Sequence, residues 1–517
     1  MGEQLEAAVS APVPVAPGTA IGFPREGGAS LRARGAAVAD WFGREAFLVV
    51  LFAIYVVGLT WSLPSHLASD TWMTFAFGRE IVHHGLPHHD VLTVWAHGRT
   101  WVDQQWLGQL IFYGAYALAG IRGAIAVQTV CLTAAMALAI VAARRHGGST
   151  RSVTWITLGS FLVVAWGSWT LRVQSLVFPL FVGLLWLLAE DSRRPSRRVL
   201  LALPIVVVWA NLHGTAFLAS GLVALRGLSM LLERDRPLRD RLPLGLVLTA
   251  APALLLASPY GFSLVGYYHK LLLNPAFSRY VTEWAPTKLG IATAPFYLLA
   301  LLAAWLAGRC RTRLTLFEQS ALLVTLVLAL LAIRSVVWFM LAALILLPAA
   351  LDGVLSSHWD NPRYRHLNKL LALPAPLICA WIVAGAFSHP SSWYTRDFPP
   401  AASNTVARIA AQNPGLRIFA NERYADWLLL DHPELRGRIA FDARFELLTA
   451  NQLKRIVEFR LRIEGSRSVT RGYGLLVLDP TSEKKVAKGL LASGGWRQLY
   501  RRHVIVLRRV AAPGGGA

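Results

Sequence analysis

The segment Ala46-Phe-Leu-Val-Val-Leu-Phe-Ala-Ile-Tyr-Val-Val-Gly-Leu-Thr-Trp-Ser-Leu63 decides the fold, because its 18 residues contain no charged side chain. An α-helix of that length covers most of the roughly 30 Å of hydrocarbon in a bilayer. The segment begins too far from residue 1 for an ordinary signal peptide and has no convincing cleavage site. We therefore expect a retained transmembrane helix.

Similar apolar segments recur along the chain. With 46–63 they predict eleven spans, the others being 123–143, 153–170, 174–190, 199–212, 214–232, 243–258, 290–308, 317–333, 335–351 and 370–388. The apolar run 106–120 is brief, so it is either a twelfth, short span or a helix lying in the interface. Only 15% of the residues are charged, against about 25% in soluble proteins. The sequence thus predicts an α-helical integral membrane protein with 11–12 transmembrane helices.

The loops between the spans are of two kinds. The formal charge of +22 is concentrated in short loops between apolar segments, which is a topology signal and not the mark of a nucleic-acid-binding protein. We expect these loops in the cytoplasm: Arg144-Arg145-His146, Arg193-Arg194 with Arg197-Arg198, Arg234 to Arg241, Arg309 to Arg313, and Arg363 to Lys369. Residues 1–45 are predicted to be a disordered cytosolic tail.

The last span runs from the basic side to the outer side, so residues 389–517 are expected outside, as is a large first outer loop at 64–104. The residues after 389 change in character. Short β-type segments begin at Leu416, Arg438, Gly474 and His503, and helical patterns near 424–431, 449–463 and 482–493 separate them. The pattern predicts a small soluble α/β domain at the C-terminus.

Polar residues on the outer side occur singly among aromatic residues, Gly and Pro. An ionisable residue at such depth is costly and is a candidate for function. The candidates come from segments far apart in the sequence: Asp70, His88, Asp90, Asp103, Gln104, Gln105, Arg172, Gln174, His213, Tyr260, Lys270, Glu283 and Arg334. Their common location predicts one shared site.

Each candidate also has a structural interpretation. Asp70 is either an N-cap of the following helix or a catalytic or metal-binding carboxylate. The histidines at 83, 84, 88 and 89 are either a metal cluster or solvated loop residues. Arg172 and Arg334 either reach towards lipid headgroups or bind phosphate. His213, in a tight turn between two spans, is either structural or part of the site.

Several motifs resemble a known group of proteins. The segments Asp70-Thr-Trp72, Gly78-Arg-Glu-Ile81, His83-His-Gly-Leu-Pro-His-His-Asp90 and Trp101 to Trp106 resemble the first outer loop of bacterial membrane proteins related to the GT-C glycosyltransferases. These include protein O-mannosyltransferase-like enzymes. Further similar motifs are Arg172-Val-Gln174, Trp209 to Gly214, Ser258-Pro-Tyr-Gly261, Glu283-Trp284, Arg334 and Phe441-Asp-Ala-Arg444.

The resemblance implies a sugar transfer from a polyprenyl-phosphate donor on the outer face of a bacterial inner membrane. An acidic residue just after the first span is the catalytic base or a metal ligand in that superfamily, and Asp70 has that position. The mannosyltransferase branch has adjacent acids there, whereas this chain has Asp70-Thr71. The second carboxylate would then be Asp90, Asp103 or Glu283, and we take Glu283 as the second catalytic residue.

The remaining roles follow from the same resemblance. Donor and phosphate binding would fall to Arg172, Gln174, Arg334, His213, Tyr260 and Lys270, and a substrate loop would consist of His88, Asp90, Asp103, Gln104 and Gln105. The expected partners are a lipid-linked sugar and membrane lipids. The resemblance does not identify a cofactor with certainty, and it leaves open whether a divalent metal ion binds. The alternatives are a transporter or flippase of a lipid-linked or polar substrate and a noncatalytic membrane assembly protein.

Overall fold

The computed structural model describes residues 31–164, 169–233, 237–355, 364–461 and 466–510. A helix lies on each of the eleven predicted spans. These helices are α2 (Ala46–Trp61), the second part of α4 (Trp106–Arg145), α5 (Thr150–Val164), α6 (Val177–Arg193), α7 (Ala202–Leu212), α8 (Ala216–Leu232), α9 (Leu238–Thr249), α12 (Ala294–Arg309), α13 (Leu316–Leu331), α14 (Val336–Leu351) and α16 (Ala375–Ser388).

Further helices lie between or beside these spans. They are α1 (Leu31–Arg44), α3 (Ser69–His84), α10 (Ser263–Leu272), α11 (Pro275–Tyr280) and α15 (Arg365–Ala372). By length and composition alone, four of the described helical segments can cross a membrane: Trp106–Arg145, Val173–Arg193, Ile333–Leu351 and Arg365–Ser388. The pair Arg34–Arg44 and Ala46–Trp61 meets the same criterion together but is bent by 78°.

Helix α4 is two helices joined at Gly120. That residue has a φ of +61°, a left-handed conformation that glycine adopts without strain. The first part, 106–118, packs along α3, and Gly78 permits the approach, since an added Cβ would lie 2.5 Å from Tyr113 Cβ. Arg122, just after the break, donates a hydrogen bond to the backbone oxygen of His389, where the last span ends. Only the second part of α4 therefore runs through the bundle.

The predicted basic loops meet at one end of the bundle, which we call the basic end. His146 and Arg193 both contact the carboxylate of Glu318, at 2.9 and 2.6 Å. Arg144 pairs with Glu45 at 2.7 Å, and Asp352 accepts hydrogen bonds from the 149–152 turn. Arg234 and Arg363 lie outside the described residues. The loops thus share a side, as the positive-inside pattern requires.

Part of the predicted N-terminal tail is ordered, because Leu31–Arg44 forms α1. This helix lies against α15, and Lys369 Nζ contacts Asp40 Oδ1 at 2.6 Å. Residues 1–30, the rest of the tail, are outside the described residues.

The C-terminal residues form an α/β domain, as predicted. Its helices are α17 (Ser391–Tyr394), α18 (Pro400–Gln412), α19 (Glu422–Asp431), α20 (Ala450–Leu461) and α21 (Lys484–Ala492). Its strands are β1 (Ile418–Ala420), β2 (Leu475–Leu478), β3 (Trp496–Arg501) and β4 (Ile505–Arg509), in the order β1-β2-β4-β3. β1 and β2 are parallel, and the other two pairs are antiparallel.

The first outer loop extends this sheet. Ile439 pairs in parallel with Ile418 of β1 on one side and with Thr93 of the loop on the other. Val94 and Trp95 donate backbone hydrogen bonds to the oxygens of Ile439 and Ala440, at 2.8 and 2.9 Å. The loop and the C-terminal domain also share one hydrophobic core, in which Phe77 and Trp101 cluster with residues such as Trp427. The two regions therefore pack as one unit at the end of the bundle opposite the basic loops.

Candidate functional site

A cavity of about 300 Å³ lies where the bundle meets the C-terminal domain. We call this end of the bundle the cavity end. Its walls come from α3, the 103–105 turn, the turn before α6, the α7–α8 turn, the loop before α12, the start of α14 and the C-terminal domain. Eight of the predicted residues line it: Asp70, Gln104, Gln105, Arg172, Gln174, His213, Glu283 and Arg334.

Asp70 is in the first turn of α3 and faces the cavity. The capping role at this helix belongs to Thr71, whose Oγ1 accepts a hydrogen bond from the Ala68 N–H at 3.1 Å. Thr71 also donates to the backbone oxygen of Leu171, which fixes α3 beside the segment that carries Arg172. The helix therefore does not need the Asp70 carboxylate as a cap, and that carboxylate is available to the cavity.

Arg172 lies between two carboxylates. Its Nε is 2.9 Å from Asp70 Oδ2, and its two terminal nitrogens donate to the two carboxylate oxygens of Glu283. Burial alone would raise the pKa of Glu283, but the hydrogen bonds and charge of Arg172, with the charge of Arg334, hold that pKa below its ordinary value. Glu283 is therefore ionised, and Arg172 is a fixed link between the two acids.

Arg334 is the second cation of the cavity. Its guanidinium lies 4.7 Å from the centroid of the Trp284 ring. Within the described part of the chain, Arg334 has no carboxylate within ion-pair distance and no side-chain hydrogen bond. Five N–H donors on a charged group that faces a cavity are suited to an anionic ligand.

His213 is held in the turn between α7 and α8. Its Nδ1 accepts a hydrogen bond from the Thr215 N–H at 3.2 Å, which leaves Nε2 to carry the proton. Burial, followed by the charges of Arg334 and Arg172, lowers the pKa of His213 to about 3. A neutral histidine can donate one hydrogen bond into the cavity without adding charge.

The C-terminal domain forms the roof of the cavity, and its residues were not among the site candidates predicted from the sequence. Glu422, Ala443, Phe445 and Glu446 line the cavity opposite the bundle. Burial raises the pKa of Glu446 to about 7, and the charges of Asp442 and Asp70 add to this. The available signal was the position of Glu446, two residues after the Phe441-Asp-Ala-Arg444 motif.

Arg444 holds this roof in place. Its guanidinium is buried between Asp442 and Asp90, at 2.5 Å from a carboxylate oxygen of each. It also stacks against the rings of Phe77 and Trp101, at 4.5 and 4.1 Å from their centroids. A motif of the C-terminal domain is thus clamped onto the first outer loop.

The structure does not bring the other five predicted residues to the cavity. Asp90 is the buried partner of Arg444, and Tyr260 donates to the backbone oxygen of Pro87 at 2.9 Å. His88 is exposed beside Tyr260, and Lys270 is exposed at the end of α10. Asp103 accepts from Gln109 at 3.0 Å, and burial raises its pKa to about 7. Position at the correct end of a helix does not determine where a side chain points.

A metal ion has no evident ligand set. Among the described residues, no group of three or more His, Cys, Asp and Glu side chains is placed to hold one. Asp70 and Glu283, the two acids nearest in role, are both engaged by Arg172. These two carboxylates, each paired with the same arginine, are therefore not arranged as a metal centre.

A second cavity, of about 330 Å³, adjoins the first. It shares Arg172, Gln174, Glu283 and Arg334 with the first cavity, and its other walls are largely apolar residues of α6, α12 and α14: Phe178, Phe296, Val336 and Val337. The charged cluster therefore lies between a chamber of mixed polar and apolar lining under the C-terminal domain and a more apolar recess between helices.

Comparison with known proteins identifies the architecture. The sequence matches no protein-family model and no curated protein. Two structures of the archaeal oligosaccharyltransferase AglB from Archaeoglobus fulgidus are similar to this chain. One, with an inhibitory peptide and a dolichol-phosphate, has a TM-score of 0.51 at 12% identity and covers 89% of this chain and 73% of its own. The other, tethered to an acceptor peptide, has a TM-score of 0.52 at 11% identity and covers 91% and 75%.

The chain has the GT-C fold. ArnT from Cupriavidus metallidurans, in a structure bound to undecaprenyl phosphate, is similar over 94% of this chain and 100% of its own at 16% identity. Its TM-score is 0.47, so the fold assignment rests on the AglB structures. The fold that the GT-C resemblance implied is confirmed, as is the small C-terminal sheet domain.

Proposed function

We propose that this GT-C protein is a membrane glycosyltransferase that moves a sugar from a polyprenyl-phosphate donor to an acceptor at the cavity end of the bundle. We assign that end to the outer face of a bacterial inner membrane, with the N-terminus cytoplasmic. The observation that carries the proposal is the cluster of Asp70, Arg172, Glu283 and Arg334, brought from four distant segments to the junction of a cavity with a mixed lining and a more apolar one.

The junction suits an amphipathic donor. A polyprenyl chain would lie in the apolar recess between α6, α12 and α14, and its phosphate would lie at the charged cluster. Arg334 would hold the phosphate, because its donors are not taken by a carboxylate, with Gln174 and the Nε2–H of His213 nearby. The sugar would then extend into the chamber under the C-terminal domain.

Asp70 would be the base. Arg172 contacts Asp70 Oδ2, whereas Oδ1 has only a long 3.5 Å contact from Ser69. In the reaction, Oδ1 takes the proton of the acceptor hydroxyl while the hydroxyl oxygen bonds to the anomeric carbon. The bond from that carbon to the phosphate oxygen breaks, and its electron pair leaves with the phosphate, whose growing charge Arg334 stabilises.

Glu283 would position Arg172. Its two oxygens bind both terminal nitrogens of the guanidinium, which fixes the plane of Arg172 and so the place of Asp70. The fold supports the proposed transferase function by analogy, because AglB is described as an oligosaccharyltransferase in complex with a dolichol-phosphate. The sugar and the acceptor of this chain are not specified by that likeness.

The test is the affinity of the purified protein, in lipid nanodiscs, for a short-chain polyprenyl phosphate. We expect Arg334→Gln to weaken binding by about tenfold to a hundredfold, the scale of a lost charge-assisted hydrogen bond. The matched control is Arg311→Gln, an exposed arginine at the basic end. The polyprenol of the same chain length, which lacks the phosphate, should bind weakly to the unaltered protein and to both variants.

Equal losses in Arg334→Gln and Arg311→Gln would mean that binding reflects bulk charge, and the donor site would be wrongly placed. Tight binding without any transferred sugar, under every donor and acceptor tried, would move the protein towards the transporter alternative.

A further inference from the structure

The sheet of the C-terminal domain points the carboxyl ends of its parallel strands at the cavity. The segments 92–94, 438–440, β1 and β2 run parallel to one another. The residues that follow two of them, Glu422 after β1 and Phe445 and Glu446 after 438–440, line the cavity. In open α/β sheets, ligands bind outside the carboxyl ends of such strands.

Glu422 lies at the point where the strand order reverses. From β1 the chain crosses to 438–440 on one side of β1, and it later returns through α20 to β2 on the other side. The crevice between β1 and β2 is therefore a topological switch point, the usual ligand site of this kind of sheet. Here the crevice opens onto the cavity in the membrane domain instead of onto solvent.

The two roof carboxylates differ in their partners. Glu422 forms an ion pair with Arg460 of α20, which fixes its position. Glu446 has no ion-pair partner among the described residues, although it lines the same cavity as Arg334. An ionised carboxyl group is an acceptor only, so above its raised pKa Glu446 is suited to hydroxyl or other N–H and O–H donors of a ligand.

Aromatic side chains complete this part of the cavity. Phe445 comes from the roof, Trp284 from the loop before α12 and Tyr267 from α10. Trp284 is already held by Arg334 on one side. Aromatic faces beside carboxylate acceptors offer both surfaces that a pyranose ring presents, its apolar C–H face and its hydroxyl edge.

We propose that the C-terminal domain supplies the sugar-binding subsite of this enzyme, in which Glu446 accepts hydrogen bonds from hydroxyls of the donor sugar and Glu422 borders the same ring. The proposal rests on the proposed function, since a phosphate at Arg334 leaves the roof side of the cavity to the group bonded to it. Glu446 is then a specificity-determining residue carried by a domain outside the membrane.

The test compares two probes on the full chain in nanodiscs: a short-chain polyprenyl phosphate and the same lipid phosphate bearing a neutral hexose. We expect the unaltered protein to bind the hexose-bearing lipid phosphate, for at least one of the common hexose epimers, more tightly than the lipid phosphate without a sugar. At pH 8, above the raised pKa of Glu446, Glu446→Gln should reduce that gain by about tenfold, and Glu446→Ala by up to about a hundredfold, because a hydrogen bond to a charged group is lost. The exposed Glu434→Gln, in the same domain, should keep the gain.

The outcomes separate the two proposals. If bare lipid phosphate binds and depends on Arg334, but no hexose gives a gain or Glu446→Gln retains it, the sugar subsite is elsewhere and the donor site stands. If Arg334→Gln does not change the affinity for the bare lipid phosphate, the proposed function itself is wrong. Thermal melting of each variant controls for folding, and Glu446→Gln serves if Glu446→Ala does not fold.

Discussion

Both ends of the helical bundle contain buried ionisable side chains, but these side chains have different partners at the two ends. At the basic end, Arg226 is fully buried and contacts Asp191 at 2.8 Å and Glu233 at 2.5 Å. At the cavity end, Arg172 is paired, while Arg334 lies beside an aromatic ring and, among the described residues, has no carboxylate within ion-pair distance. Charges whose partners are all within the protein fasten helices, whereas a charge left facing a cavity is available to a ligand.

The C-terminal domain carries both kinds of charge within a few residues. Arg444 is fixed between Asp90 and Asp442, and Glu446 faces the cavity. The clamp on Arg444 places the roof, and the roof places Glu446. The contrast between fastened and ligand-facing charges can therefore be tested at each end of the bundle and within one domain.

The largest expected effect is at the cavity end. Asp70→Asn keeps the shape of the side chain but removes the base, so transfer should fall by roughly a hundredfold or more. Stability should change little, because Thr71 caps α3 and Arg172 keeps its contacts with Glu283. Sugar transfer and thermal melting are measured on the same preparation; normal transfer at normal expression would remove Asp70 from the site.

A matched change at the basic end should do the reverse. Arg226→Leu leaves the buried Asp191 and the half-buried Glu233 without their cation, which destabilises the fold by about 3–5 kcal/mol. Molecules that remain folded should bind polyprenyl phosphate with unchanged affinity. A stable variant with weakened lipid-phosphate binding would erase the distinction between the two ends.

A smaller effect is expected on the pH dependence of stability, from Glu483, a buried acid of the C-terminal domain whose partners lie within the protein. Burial raises the pKa of Glu483 to about 7, while its carboxylate accepts from the Asp479 N–H at 2.8 Å. A carboxyl group whose pKa is raised on folding favours the folded state fully below its ordinary pKa, and loses that benefit as the pH rises towards 7. The melting temperature should fall from pH 5 to pH 8, by the equivalent of about 1–3 kcal/mol for this group.

The replacement Glu483→Gln removes the titrating group and should flatten that part of the pH profile. A profile with the same slope in Glu483→Gln would assign the pH dependence to other acids with a raised pKa, such as Asp103 and Glu446.

The sequence was sufficient to place an apolar helix on each predicted span, because hydrocarbon requires apolar helices whatever their packing. By length and composition alone, four of the described helical segments can cross a membrane. The sequence was also sufficient for the charged cluster. Asp70, Arg172, Glu283 and Arg334 stand out singly at helix ends, and the topology placed all four on one side. Tyr260 and Lys270 satisfied the same rule and point elsewhere, since the pattern gives the end of a helix but not the rotation of the side chain.

The C-terminal domain was harder to predict. β3 was not expected, because Trp496-Arg-Gln-Leu-Tyr-Arg501 is an edge strand with little apolar alternation. The domain was expected to be separate, yet its core includes Phe77 and Trp101 of the first outer loop. Contacts across more than 300 positions in sequence leave no local pattern, and Glu422 and Glu446 could not be assigned to the cavity without them.

The most direct test of the account is a cryo-electron microscopy structure of the full chain in nanodiscs with a short-chain polyprenyl phosphate bound. We predict that the phosphate lies within about 3.5 Å of the Arg334 guanidinium, with the lipid chain between α6, α12 and α14. A phosphate located among the paired charges of the basic end, or outside the cavity shared by Asp70 and Glu283, would contradict the account.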